Sequence, residues 1–125
     1  MNAIFASNDL LPFQTKNILA VGGTFTTLAS LMLRQKTYDD DEIHHFKFSL
    51  ENLISLTDSL NLSSHEILKK FPIVEKRAET IYGGALIAKN ILQRISPKAI
   101  EISNKGLRFG TLLAGSIRQE FKLAN

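Results

Sequence analysis

The sequence predicts an α/β fold that is helix-rich and short of strands: strand, several helices, strand, helix. Three observations predict it. An apolar run from Ile18 to Val21 passes directly into Gly22-Gly23-Thr24 and then into a stretch of helical spacing, Leu28, Leu31 and Met32, as strand-to-helix turns do. Apolar residues at helical spacing then dominate the middle of the chain. Near the end, Ala99-Ile100-Glu101-Ile102-Ser103 alternates in the manner of a strand. Two short strands are too few for a complete sheet, so residues 1–125 are expected to form a single partial domain.

Taken in order, residues 1–16 carry an apolar stretch, Met1 to Ala6, that fits the tail of a helix, followed by turn signals at Asn8-Asp9 and Pro12. Residues 17–21 are expected to form a short buried strand. A helix is expected from Thr24 to about Gln35, with threonines available to cap its start. Tyr38 to His45, with its acidic run Asp39-Asp40-Asp41-Glu42, is expected to be a charged turn. Ser49 caps a helix reaching Leu60, on which Leu50, Leu53, Ile54, Leu56 and Leu60 keep helical spacing. Ser63-x-x-Glu66 is a capping box opening a short helix to about Lys70. Phe71-Pro72 then starts the longest helix, about Ile73 to Ile95, with proline near the first turn where its missing N–H is harmless. Ser96-Pro97 ends it, because the residue before proline is pushed out of the helical region. After the second strand, Asn104-Lys105-Gly106 turns the chain into a last helix, Leu107 to about Phe121.

Composition narrows the function classes. Of the 125 residues, 44% are hydrophobic and 22% charged, the balance of an ordinary globular chain long enough to bury a core. The net charge of +3 tolerates a polyanionic ligand, but Lys and Arg are not clustered with aromatics, so no nucleic-acid partner is expected. Absence of cysteine removes disulfides and thiolate metal sites. No apolar run approaches the roughly 20 residues that span a bilayer, and the N-terminus lacks a secretory pattern. The expectation is a cytoplasmic protein without a membrane partner.

The residues with chemical promise are the two glycine turns. Gly22-Gly23-Thr24 lets the backbone approach a ligand while the following helix directs N–H groups at it; the same glycines also suit a purely geometric turn. Gly83 and Gly84 sit inside a helix, where each costs roughly 1 kcal/mol against alanine, so close packing against the first glycine turn is expected to be their reason. Arg77 offers a planar fork suited to phosphate oxygens, against the plainer reading of a solvated face shared with Glu75, Lys76 and Glu79. His44 and His45 beside the acidic run lack a third ligand at usable spacing, so they are read as loop residues and no metal site is expected. Ser49, Ser63 and Ser64 are read as caps and not nucleophiles.

In this order the pieces resemble the C-terminal part of the second lobe of the Ppx/GppA family, the exopolyphosphatase and guanosine pentaphosphate phosphatase group within the actin–hexokinase–Hsp70 superfamily. The resemblance is carried by Val21-Gly22-Gly23-Thr24 with Thr27-Leu28-Ala29, Tyr38, His44-His45, Leu53 to Leu60, and Ser64 with Glu66. It continues through Pro72, Arg77-Ala78-Glu79-Thr80-Ile81, Gly83-Gly84-Ala85-Leu86-Ile87, Ile102-Ser103 and Gly106-Leu107-Arg108 with Gly110. It implies a partial ribonuclease-H-like lobe from a hydrolase that releases terminal phosphate from polyphosphate or guanosine pentaphosphate with magnesium. On that resemblance Gly22, Gly23, Thr24 and Arg77 bind the phosphate or nucleotide, Thr24 through its hydroxyl, while Gly83 and Gly84 pack helices.

The resemblance also has gaps. The Asp-x-Gly-Ser/Thr and Asp-x-Gly-Gly-Gly-Ser loops and the segment bearing the catalytic glutamate have no counterpart in the sequence, and Phe109 stands where the family often has an acidic residue. Catalytic residues and magnesium ligands are therefore expected to lie outside this chain, leaving it inactive alone and reliant on the N-terminal half as partner. An exposed edge of the incomplete sheet makes a homodimer a further expectation. The competing readings are a small helical interaction module indifferent to phosphate and, with less support, a lobe of a sugar or acetate kinase.

Overall fold

Three strands, β1 (Asn17–Val21), β2 (Lys47–Phe48) and β3 (Ala99–Ser103), make a sheet of order β1-β3-β2 in the computed structural model, which describes residues 17–113. β1 and β3 run parallel in the register Asn17↔Ala99 to Val21↔Ser103. β2 pairs antiparallel with β3, Lys47 opposite Glu101 and Phe48 opposite Ile100. A parallel pair needs a long crossover, and nearly all the helices lie within it: α1 (Gly23–Met32), α2 (Asp40–Ile43), α3 (Leu50–Ser59), α4 (Ser64–Lys70), α5 (Glu75–Ala78) and α6 (Ile81–Ile95). A seventh helix, α7 (Leu107–Leu113), follows β3.

Period-two alternation on the strands decides which sheet face is covered. Ala20, Ile100 and Ile102 are buried among Leu28, Ala29, Ala85, Ala88 and Leu92, whereas Leu19 and Val21 remain 63% and 51% exposed, so the strand expected to be buried is an edge strand covered on one face. α6 is the central packing helix, bringing Ile81, Ala85, Ala88 and Leu92 inward at helical spacing against α1 and α3. Each fully buried Leu or Ile contributes about 1.5–3 kcal/mol to that core, and Leu28, Leu53, Leu60, Ile67, Ile100 and Ile102 are all at or below 1% exposure.

Local signals set several boundaries as expected. The Ser63 hydroxyl accepts from the Glu66 N–H while the Glu66 carboxylate accepts from the Ser63 N–H, closing the capping box. Ser49 and Asn52 form the same reciprocal pair at the start of α3. α6 ends at Ser96, which takes a left-handed conformation (φ 49°) immediately before Pro97.

Four boundaries differ. The long helix expected from Ile73 to Ile95 is broken: Ile73 and Val74 are not helical, α5 covers one turn, and α6 starts at Ile81. At the break, both the Thr80 N–H (3.1 Å) and the Thr80 hydroxyl (3.4 Å) donate to the Arg77 carbonyl, tightening the turn and competing with the regular helical ladder. α1 stops at Met32, short of Gln35, since Arg34 turns left-handed (φ 53°) and the buried Gln35 side chain donates to Glu42 Oε2 and to the Asp39 carbonyl instead. The charged turn from Tyr38 to His45 contains a helical turn, α2, capped by the Asp39 carboxylate and anchored by the fully buried Ile43. β2 was not expected at all; two residues are too few for alternation to show. The expected helical tail at Met1–Ala6 lies outside the described residues, as does the last helix beyond Leu113.

Candidate functional site

The first glycine turn occupies the C-terminal end of β1. Gly22 has φ 110° and ψ 161°, a conformation that disfavours any side chain. It hands the chain to α1, whose first turn has no acidic residue and no side-chain cap. The N–H groups at the start of this ten-residue helix therefore lack a carboxylate or hydroxyl acceptor, and the positive end of the helix dipole is not offset locally. Along α1 the residues Gly23, Thr26, Thr27 and Ser30 fall at helical spacing and make a polar stripe. Two of the stripe's hydroxyls fold back on the turn, Thr27 donating to the Gly23 carbonyl at 2.7 Å and Thr26 at 3.2 Å.

Two contacts tie this turn to α5 and α6. A β-carbon at Gly23 would lie 2.6 and 2.8 Å from the two terminal nitrogens of Arg77 and 3.0 Å from its guanidinium carbon, so the guanidinium rests on the bare Cα. A β-carbon at Gly84 would lie 2.8 Å from both the Thr24 methyl and the Thr24 hydroxyl oxygen. The structure thus brings Gly23 to Arg77 and Thr24 to Gly84. The Thr24 hydroxyl lies against α6. Gly83 is exposed and a β-carbon there would meet nothing within 4 Å, so the packing reason holds for Gly84 and finds no contact at Gly83.

Arg77 is exposed and forms no ion pair with a carboxylate among the described residues, Glu75 and Glu79 included. Its charge borders a cavity of about 500 Å³ between the polar stripe of α1 and the Pro72–Val74 segment. Thr26, Thr27, Ser30, Gln35, Lys36, Tyr38 and Arg77 supply its polar lining. Partial burial of the Tyr38 phenol raises its pKa above 10.0, with the neighbouring Thr26 hydroxyl opposing the shift and Asp40 adding to it. Tyr38 therefore stays a neutral donor at physiological pH. The cavity holds two cationic side chains, several hydroxyls and an aromatic ring, a set that suits a phosphate-bearing ligand.

Sequence reasoning found the glycines and Arg77 but passed over Thr26, Ser30, Gln35 and Lys36. The signal was present, because a hydroxyl-bearing stripe at i, i+3, i+4 and i+7 on an otherwise apolar helix marks a face that is not core.

A second groove, of about 480 Å³, runs between β1 and α6 and is lined by uncharged residues, with Ile18, Leu19, Ile87, Ile91 and Ile95 prominent. Ile87 is 51% exposed. His44 and His45 line neither cavity. The His45 ring bonds to Glu101 at 2.6 Å, and Lys47 joins the same carboxylate at 3.7 Å. Gly106 receives the first backbone bonds of α7, from Phe109 and Gly110. Among the described residues no three His, Cys, Asp or Glu side chains converge to hold a metal ion, and no helix is long and apolar enough to cross a membrane.

Comparison with known proteins adds an independent line. The sequence profile of the Ppx/GppA phosphatase family matches residues 4–118. Two crystal structures of the Aquifex aeolicus Ppx/GppA phosphatase are similar. The type II variant has TM-score 0.77 and 27% identity over 89% of this chain, and the other has TM-score 0.78 and 26% identity over 93%. The bifunctional 3-dehydroquinate synthase/phosphatase of Fusobacterium nucleatum is 32% identical over 103 residues, or 79% of this chain. The chain spans only 38–39% of the Aquifex chains and 15% of the Fusobacterium protein.

Proposed function

Since this chain belongs to the Ppx/GppA phosphatase family, we propose that it supplies one wall of the phosphate cleft of a hydrolase acting on polyphosphate or guanosine pentaphosphate. The single observation that carries this reading is Arg77: a cation without a carboxylate partner, set down on Gly23 at the uncapped start of α1. Phosphoryl transfer needs charge held in place more than it needs reactive side chains, and this wall offers backbone N–H groups, Arg77, Lys36 and hydroxyls. It does not offer a nucleophile-activating carboxylate. The role assigned to these residues is to bind and orient phosphate, with hydrolysis requiring the remainder of the protein.

Magnesium would shield and orient the phosphate chain in such chemistry. The described residues do not converge to hold it, so no step through a metal is assigned to them.

The groove beside β1 is assigned to the N-terminal half of the same fold, as the surface where the sheet continues. β1 pairs with β3 alone among the described residues, and its free edge carries no charged residue or proline to discourage a further strand. A second copy would compete for the same edge.

The test is an NMR titration of isotope-labelled protein with tripolyphosphate, with and without magnesium, at low salt. Saturable shifts confined to Gly22–Phe25, the α1 stripe and Arg77, reduced by Arg77→Ala, are expected. Diffuse shifts over surface lysines would favour the interaction-module reading, in which the apolar groove and not the polar cavity is the functional surface.

A further inference from the structure

Gly23 departs from the usual reasons for a glycine. Its φ is not in the left-handed region, unlike that of Gly22, and it is the first residue of α1, where alanine would be the better helix former. What the position cannot accept is a β-carbon, because the guanidinium of Arg77 occupies that space at 2.6–3.0 Å. The obstructing atoms are the far end of a long, flexible and exposed side chain. Adding a methyl group at Gly23 therefore moves Arg77 at little energetic cost, and the fold has no need to respond.

We infer that Gly23 is a positioning residue whose bare Cα is the seat of the Arg77 guanidinium, fixing the cation's plane and direction at the edge of the polar cavity. Without that seat an exposed arginine samples many rotamers, and holding one of them carries an entropic cost of up to about 2 kcal/mol. The seat also explains why α5 is separate from α6. The tightened turn at Thr80 lets α5 hold Arg77 over Gly23 while α6 brings Gly84 to Thr24. α1 thus receives the Arg77 side chain of α5 on Gly23, and α6 receives the Thr24 side chain of α1 on Gly84. The inference rests on the proposed phosphate-binding role of Arg77 only for its functional consequence; the seating itself is a statement about the free protein.

The experiment uses the full 125-residue chain, with Gly23→Ala, Arg77→Ala, the double variant, and Gly83→Ala as a control glycine that meets nothing. Two readouts separate the claims. The first is the Arg77 Nε–Hε resonance without ligand. It is expected at a distinct position in the native chain and in Gly83→Ala, and collapsed to the solvent-exposed position in Gly23→Ala. An unmoved resonance in Gly23→Ala overturns the inference whatever happens with phosphate.

The second readout is tripolyphosphate affinity at low salt. Gly23→Ala is expected to weaken it about tenfold, as Arg77→Ala does, roughly the worth of one charge-assisted hydrogen bond. The double variant is expected to bind no more weakly than Arg77→Ala. Additive losses overturn the inference, since they give Gly23 a role independent of Arg77. If the native chain does not bind tripolyphosphate, the site reading fails while the resonance test still decides the seating. If Gly23→Ala does not fold, the double variant decides: folding when the guanidinium is gone supports the seat, and failure of both overturns it.

Discussion

Thr24 and Gly84 are locked face to face. The side chain of the former stands so close to the Cα of the latter that a β-carbon there would fall 2.8 Å from both the Thr24 methyl and hydroxyl. This sets how closely α6 approaches the glycine turn. Unlike Arg77, Thr24 is short and cannot swing clear, so Gly84→Ala must spread α1 from α6 or force a poor rotamer. We expect a loss of about 1–3 kcal/mol, the usual range for overpacking a core contact. The neighbouring Gly83→Ala meets nothing within 4 Å and should gain about 0.5–1 kcal/mol from helix propensity. Urea denaturation of the two variants provides the check; equal effects would mean that the contact with Thr24 does not constrain α6.

At Gly22 the restriction comes from the backbone and not from a neighbour. Its φ of 110° is in the glycine-favoured region, and a β-carbon there would meet no atom within 4 Å. Gly22→Ala should cost about 1–3 kcal/mol through strain alone. The penalty should persist in an Arg77→Ala background, which distinguishes it from the effect at Gly23. Thermal melts of the single and double variants measure this.

Acid should destabilise the protein in two stages. Burial of the His44 ring, with repulsion from His45 and Lys105, lowers its pKa below 6.5, and its Nδ1 is buried without a hydrogen-bond partner among the described residues. The unfolded chain then binds the proton more readily, so this contribution is whole above pH 6.5 and is lost as pH falls through the folded value. Glu101 is held below 4.5 by its bond with His45 and by Lys47, and Glu66 likewise by Ser63. Their contributions are present above 4.5 and disappear as pH falls through the lower folded values. A denaturation series across pH should show both limbs, and His44→Gln should flatten only the upper one.

The edge of β1 should make association concentration-dependent. Leu19, Val21 and Ile87 are exposed around an uncharged groove. Sedimentation of the isolated chain is expected to show reversible self-association that Val21→Lys suppresses while the circular dichroism spectrum stays unchanged. A monomer at every concentration would remove the homodimer from consideration.

Much of this was legible in the residues. An apolar run located β1, periodicity located α3 and β3, and the Ser49 cap and the Ser63-x-x-Glu66 box announced their helices, because those signals are local. The break at Thr80 was not legible: Ile73 to Ile95 reads as one amphipathic run, and the two sides of the break dock on partners far away in sequence, Arg77 on Gly23 and Gly84 on Thr24. β2 and α2 were too short for periodicity and are held by partners, His45 and Phe46 bonding to Ile102 and Ile43 sitting fully buried. The pairing of Arg77 with Gly23 was equally invisible, although each residue had been singled out separately, because no local pattern says which side chain a glycine is making room for.

The parallel register of β1 and β3 has a consequence for how the molecule comes to be made. Asn17 meets Ala99 and Val21 meets Ser103, so the central ladder joins opposite ends of the described chain, with six helices between them. A loop that long forfeits entropy before any ladder bond forms. The helical body must therefore condense first and carry β3 to β1, which makes the seam beside the glycine turn a late event in folding. Ribosomal synthesis sharpens the order, since β1 emerges before the six helices of the crossover and β3 only after them.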